Sequence, residues 1–337
     1  MAAHLSLSGE CVWLWNRTRG HIDWLCEGGA IVCEGAIEGR AHVAKASDRI
    51  GEVASDLIFV VAPASAHREI ARMLAPLVTR HMTIVLSPGR TFGAYDFRAQ
   101  LLAAGAAELP VIAETQTIVH TCRRTGDDRI RIIGFKQGVE LAALNADPRA
   151  VIGNLPASLR PYFIPVDSVL RTSMSNVGMI LHCAPVLLNV GWIESGMTDV
   201  KYYRDMISPS VAAVLDKLDA ERIMVARALG CEAESLCDWL RRVYGASGDG
   251  ISACLRTVAA YQEIDAPQAI DGRYVTEDVP CGLVPVESAA RALGLKTPFV
   301  SLTIDLANAV SGRDYRAEGR SFDRVWLTNG GLDVQGA

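Results

Sequence analysis

The sequence predicts an α/β N-terminal domain over residues 1–165, with a doubly wound, mostly parallel sheet, and an all-α C-terminal domain over residues 166–337. Three observations predict it. Through the first half, strand and helix signals alternate, and the strands are apolar runs rather than apolar–polar alternations, as in sheets covered on both faces. Near Pro161–Val166 the pattern changes, and beyond it almost every segment carries helix start and stop signals. A length of 337 residues, half of them hydrophobic, is enough for two ordinary cores.

Met1–Ser8 followed by Gly9 reads as the tail of a helix with a glycine cap, and Cys11–Trp15 as an apolar strand buried on both faces. Ser47 is expected to cap a helix through about Ser55. Strands follow at 57–61, 83–86, 111–113, 116–122 and 130–135, with helices at 66–79 and 94–104 and a short one at 137–145. The second half opens with a helix from about 174 to 194. Ser208-Pro209-Ser210 starts another that ends at Gly230, and helices at 232–244, 252–262, 285–293 (closed by Gly294) and 297–310 (closed by Gly312) complete it. Asp271–Pro285 interrupts them as a charged loop with two prolines and two glycines, of the sort that carries function more often than packing.

Composition excludes some classes of activity. The net charge of -5, with no basic run, argues against a general nucleic-acid binder. There is no apolar stretch long enough to span a bilayer and no secretory leader pattern at Met1, which points away from a membrane partner. Nine scattered cysteines without a C-x-x-C pair point to a reducing cytoplasm and away from a zinc site.

In doubly wound sheets ligands bind beyond the carboxyl ends of the strands. Asn16-Arg17-Thr18 follows the first strand, where a NAD-binding fold usually carries an acidic residue for the ribose. An arginine there suits a 2′-phosphate, hence NADP, with NAD as the alternative and a plain solvated turn as the bland reading. Ala62-Pro63-Ala64-Ser65-Ala66-His67 is a small-residue turn into a helix that lets backbone approach a nucleotide, and Ser87-Pro88-Gly89-Arg90 ends the next strand in the same manner. A dinucleotide domain ordinarily begins strand, G-x-G-x-x-G, helix, but here the chain begins where that helix should be ending. Either Met1 is an internal methionine of a longer product, the favoured expectation, or the protein lacks its first strand. Gly248-Asp-Gly250-Ile-Ser-Ala253 matches the motif but follows a helix, so it is a decoy.

Ser173–Pro185 carries a lone histidine on an apolar helix. Gly178 lies one turn before His182, so the imidazole rests over a residue without a side chain and leaves room for a ligand. Pro185 cannot donate to the Leu181 carbonyl and should loosen the helix there. On this helix alone two readings stay open: a core histidine bonded to backbone, or a catalytic one.

Trp15-Asn-Arg-Thr18, Gly35-Ala-Ile-Glu-Gly39, Val60–His67, Leu86–Gly93, Glu114-Thr-Gln-Thr117, Asn176-x5-His182 and Arg273-x4-Asp278-Val-Pro280 together resemble opine dehydrogenases of the octopine/nopaline type. The resemblance runs through the whole chain in order, apart from the glycine-rich start. Cys183 departs from it, since proline often follows the histidine directly. It implies reductive condensation of an amino acid with a 2-oxo acid, using NADP or NAD. His182 would then pass protons near neutral pH, Asp278 would orient it, and Arg273 would grip the oxo-acid carboxylate. Asn176, Thr115 and Gln116 would line the substrate cleft, Asn16, Arg17, Thr18, Pro63 and Ser65 would serve the cofactor, and the helical domain would support a homodimer. Two other readings compete. One is a ketopantoate reductase or glycerol-3-phosphate dehydrogenase relative, which would need a lysine acid, with Lys136 the only plausible choice. The other is a truncated, non-catalytic relative.

Overall fold

The computed structural model describes residues 1–322, so residues 323–337 of the predicted helical span lie outside the described residues. Two compact units form. The first comprises Met1–Ala62, His67–Pro88 and Gln100–Asp167, the second Pro63–Ala66, Gly89–Ala99 and the chain from Ser168 onward. The strands of the first unit are β1 (Trp13–Trp15), β2 (Ile31–Gly35), β3 (Gly39–Ala41), β4 (Lys45–Ser47), β5 (Leu57–Val60), β6 (Thr83–Leu86), β7 (Val111–Thr115), β8 (His120–Arg124), β9 (Arg129–Phe135), β10 (Val139–Ala143) and β11 (Phe163–Pro165).

The main sheet runs β11-β10-β7-β6-β5. Its β5-β6-β7 portion is parallel, with Val60 opposite Leu86 and Leu86 opposite Glu114, so these strands end at one edge. Helices His67–Leu74 and Gly93–Ala103 lie between them in sequence, the alternation that a parallel sheet requires. Val85, Ala113, Val139, Leu141 and Phe163 form its core with Leu5 of the opening helix Ala2–Leu7. His4 and His120 meet within this unit at 3.1 Å, and burial, followed by the N-terminal amine, pushes His120 down to about 2. Burial lowers His4 as well, so the pair packs as core histidines. β2 and β9 pair in parallel within a separate sheet ordered β3-β2-β9-β8.

Several expectations need correction. Within residues 137–145 the chain forms strand β10 (Val139–Ala143) rather than a helix. The Val139–Ala142 run is buried, and antiparallel pairing with β7 and parallel pairing with β11 override the helix propensity of Glu-Leu-Ala-Ala. Ser47 ends strand β4. Its hydroxyl does accept from the Arg49 N–H, but only a single 3₁₀ turn, Ile50–Glu52, follows before the chain enters β5. β1 is not buried on both faces: among the described residues it pairs only with β4, and Trp13 is 47 % exposed.

The second unit is helical among the described residues. The expected 174–194 helix is three pieces, Val169–Met174, Gly178–Leu188 and Val190–Glu194. Pro185 does not end the middle piece. The Leu181 carbonyl that it leaves without a helical donor accepts from the Tyr202 hydroxyl at 3.0 Å, and Asn189 Nδ2 bonds the Pro185 carbonyl at 2.7 Å. The long helix Pro209–Ala228 is capped by Ser208, whose hydroxyl accepts from the Val211 N–H. Asp271–Pro285 is not a surface loop. It folds as helix Arg273–Thr276, a π turn Val279–Leu283 and the start of helix Val284–Ala292. Pro280 falls in a first turn, where a missing N–H costs no helical bond, while Pro285 follows the π turn directly and the Pro280 carbonyl accepts from the Arg320 N–H at 3.0 Å. No helix among the described residues is long and apolar enough to cross a membrane.

Candidate active site

His182 sits in the second turn of the helix Gly178–Leu188 and is 17 % exposed. Its Nδ1 lies 2.7 Å from Asp278 Oδ2, the shortest polar contact of the imidazole. A buried carboxylate there accepts from Nδ1–H, which leaves Nε2 as the nitrogen that exchanges a proton. The Tyr203 hydroxyl makes a long 3.5 Å approach to Nε2. Tyr274 stacks on the ring with centroids 4.1 Å apart and planes 15° apart, and the Tyr202 hydroxyl also bonds the His182 carbonyl. Burial pushes the Tyr202 phenol and the neighbouring Cys183 thiol well above their ordinary ranges, so neither competes for protons near neutrality.

Asp278 is presented at the junction between the short helix Arg273–Thr276 and the π turn. Such turns widen the backbone ring locally and re-aim a side chain. Gly282 within the turn allows a close approach: a Cβ there would lie 2.7 Å from Met179 Cβ and 3.3 Å from Asn176 Nδ2.

The space beside Gly178 is filled, contrary to the expectation of room for a ligand. A Cβ at position 178 would strike Nη1 of Arg90. The Arg90 side chain is 14 % exposed, 3.2 Å from Asp278 Oδ1 and 3.2 Å from Glu277 Oε1. Burial works against its charge, but Asp278 and then Glu277 outweigh that and hold the guanidinium protonated. Glu277 is also buried. Burial would raise its carboxyl, yet Arg90 and Arg273 hold it at about 2. Its Oε2 accepts from Arg273 Nε at 2.8 Å and its Oε1 from the Ala64 N–H at 3.2 Å.

The turn that carries Arg90 is strained, since Arg90 and Phe92 have φ of 62° and 57°. Arg320 Nη1 donates to the carbonyls of Gly89 and Thr91, both at 2.9 Å. The Thr91 N–H reaches the Cys281 carbonyl, and the Phe92 N–H reaches Ser173 Oγ. The backbone on either side of Arg90 is thereby fixed.

The remaining expected site residues divide as follows. Arg273 is paired through Nε with Glu277, but its side chain is 63 % exposed and open to a further partner. Asn176 is buried with both ends of its amide engaged, Nδ2 on Thr91 Oγ1 and Oδ1 accepting from Arg90 Nη1, so it supports Arg90 rather than standing open to substrate. Thr115 and Gln116 are buried at the end of β7, the Thr115 hydroxyl 3.2 Å from Ser87 Oγ. Asn16 closes a turn by accepting from the Thr18 N–H at 2.9 Å, and Arg17, 67 % exposed, pairs with Glu69. Pro63 accepts from the Ala66 N–H in the turn that contains Ser65. Lys136 points its Nζ at the Ile118 carbonyl, 2.9 Å away.

Sequence reasoning missed Arg90 and Glu277. Arg90 was legible as a strand-end arginine and Glu277 as the residue before Asp278, yet no spacing links positions 187 residues apart.

Residues 165–311 match the family profile described as NAD/NADP octopine/nopaline dehydrogenase, alpha-helical domain. An opine dehydrogenase of Arthrobacter sp. (strain 1C) is 35 % identical over 338 residues, covering 99 % of this chain and 93 % of that protein. Among solved structures, octopine dehydrogenase with NADH and L-arginine superposes with a TM-score of 0.78 at 17 % identity, over 100 % of this chain and 96 % of that one. NADP+-bound yersinopine dehydrogenase does so at 0.73 and 14 %, over 98 % and 94 %. These two likenesses concern the fold. The identity to the Arthrobacter protein runs almost end to end, and by it the chain belongs to the opine dehydrogenase family, oxidoreductases that act on CH–NH groups with a nicotinamide dinucleotide.

Proposed function

We propose that this protein joins the amino group of an amino acid to a 2-oxo acid and reduces the product, with His182 as the proton-transferring group. The observation that carries this is the 2.7 Å contact between His182 Nδ1 and Asp278 Oδ2, with Nε2 facing away from that carboxylate. Asp278 fixes the tautomer and steadies the imidazolium, so Nε2–H is available to protonate the carbonyl oxygen as water leaves. Arg273 keeps most of its guanidinium open and suits a 2-oxo acid carboxylate, with pyruvate as the simplest candidate. When bound, the dinucleotide supplies the hydride. The balance is one amino acid, one 2-oxo acid, one reduced cofactor and one proton giving a secondary amine dicarboxylate, water and oxidised cofactor.

The cofactor preference is proposed as NADP. Arg17 follows β1 with an exposed guanidinium whose present partner, Glu69, is itself half exposed. Such a pair is weak, and a 2′-phosphate outcompetes it. Arg17→Ala is expected to weaken NADPH binding about tenfold and leave NADH binding within twofold, measured by fluorescence titration. Nine unpaired cysteines support a cytoplasmic home. The activity itself is tested by initial rates across amino acids and 2-oxo acids. Cofactor oxidation that needs both substrates supports the proposal, and oxidation with the oxo acid alone contradicts it.

A further inference from the structure

Five charged or titratable side chains of the second unit form an unbroken chain. Arg273 Nε meets Glu277 Oε2 at 2.8 Å, Glu277 Oε1 meets Arg90 Nε at 3.2 Å, Arg90 Nη1 meets Asp278 Oδ1 at 3.2 Å, and Asp278 Oδ2 meets His182 Nδ1 at 2.7 Å. The signs alternate along it. One end is exposed, Glu277 and Asp278 are buried and Arg90 between them is mostly covered, so these charges are poorly screened. We infer that Glu277 and Arg90 are positioning residues that link occupation of Arg273 by the substrate carboxylate to proton uptake at His182.

Before substrate arrives, Glu277 divides its carboxylate between Arg273 and Arg90, with the Ala64 N–H as a third donor. Arg90, only partly neutralised, draws on Asp278 and weakens that carboxylate's hold on an imidazolium. A substrate carboxylate at Arg273 takes over as that guanidinium's partner. Glu277 is then free to neutralise Arg90, and Asp278 can stabilise His182 in its charged form. Substrate binding therefore loads the proton that the reaction consumes.

The groups facing His182 from other elements do not break this logic. Tyr203, Tyr274 and Tyr202 are phenols, and the adjoining Cys183 thiol is pushed well up by burial. Arg90 also feels Cys281, but more weakly than either carboxylate. The fixed backbone around Arg90 matters here, because a guanidinium free to swing away would not transmit the change. The link is reciprocal by thermodynamic necessity: if the carboxylate favours the protonated imidazole, protonation must favour the carboxylate by the same factor.

This inference rests on the assignment of Arg273 to the oxo acid, and the experiment separates the two. The full chain, labelled with ¹⁵N-histidine and saturated with NADPH, is titrated by NMR with and without oxamate, an unreactive 2-oxo acid mimic. The His182 signal is the one missing from His182→Asn. In the wild type, oxamate should raise the pH of His182 titration by about one unit, with a tenfold loss of oxamate affinity as pH rises through that range. In Glu277→Gln the ligand-free His182 should titrate lower, because Arg90 then leans wholly on Asp278, and the oxamate shift should fall below half. Arg90→Lys, which keeps the charge but not the two-sided fork, should also halve the shift. Oxamate binding with no shift in the wild type, or with the same shift in both variants, overturns the link and leaves the Arg273 assignment standing. Failure of oxamate to bind the wild type overturns both.

Discussion

Replacing His182 by Asn is expected to lower kcat/KM by about 10²–10⁴-fold while leaving nicotinamide dinucleotide binding intact. Asparagine preserves polarity near Asp278 but neither takes up nor releases a proton at neutral pH. The histidine belongs to a rigid arrangement: Tyr274 covers one face of the ring, Asp278 holds Nδ1, and the Tyr202 hydroxyl satisfies the carbonyls of both Leu181 and His182. The loss should therefore appear in turnover and not in folding. Steady-state rates paired with fluorescence titration of NADPH separate the two. If turnover survives in this variant and fails in Lys136→Met, a lysine acid carries the chemistry instead.

The second large effect is on stability. Arg90→Met removes the cation shared by two buried carboxylates, Glu277 and Asp278, and puts nothing in its place. Breaking a buried ion network from one side costs about 3–5 kcal/mol, because the partner charges stay buried. Urea unfolding at pH 7 should show that difference as a lower midpoint. The pH dependence has a definite sign. Glu277 is held at about 2, below its ordinary value of 4.5, so its contribution to wild-type stability is complete above pH 4.5 and lost as pH falls towards 2. In the variant that carboxyl protonates more readily, so the gap between the two proteins should narrow over the same interval. A constant gap from pH 7 to pH 3 would show that the loss comes from packing alone.

The histidine helix and the Arg273–Asp278 segment were both legible, because chemistry-bearing residue types stand out against apolar or proline-marked surroundings. What the chain does between them was not. Arg90 looked like another strand-end residue, since its importance comes from burial beside carboxylates far along the chain and from a strained backbone held by Arg320. Asn176 was readable as a polar residue beside the histidine helix, but not that both ends of its amide would be spent on Thr91 and Arg90. The charged stretch 271–285 read as a loop because proline and glycine usually punctuate, whereas here they occupy helix starts and the tight approach at Gly282. Strand β10 was hidden for the opposite reason: Glu-Leu-Ala-Ala favours a helix locally, and only its two neighbouring strands decide otherwise. Local chemistry could be read from single residues, while its coupling depended on tertiary neighbours.

The most direct test of the central claim is the mass of the product made from a ¹⁵N-labelled amino acid, a 2-oxo acid and NADPH. The proposed chemistry predicts a secondary amine dicarboxylate that retains the ¹⁵N, formed in equal amount to the NADPH consumed and not formed by His182→Asn. A 2-hydroxy acid as the reduced product, with the ¹⁵N left in unchanged amino acid, would contradict it.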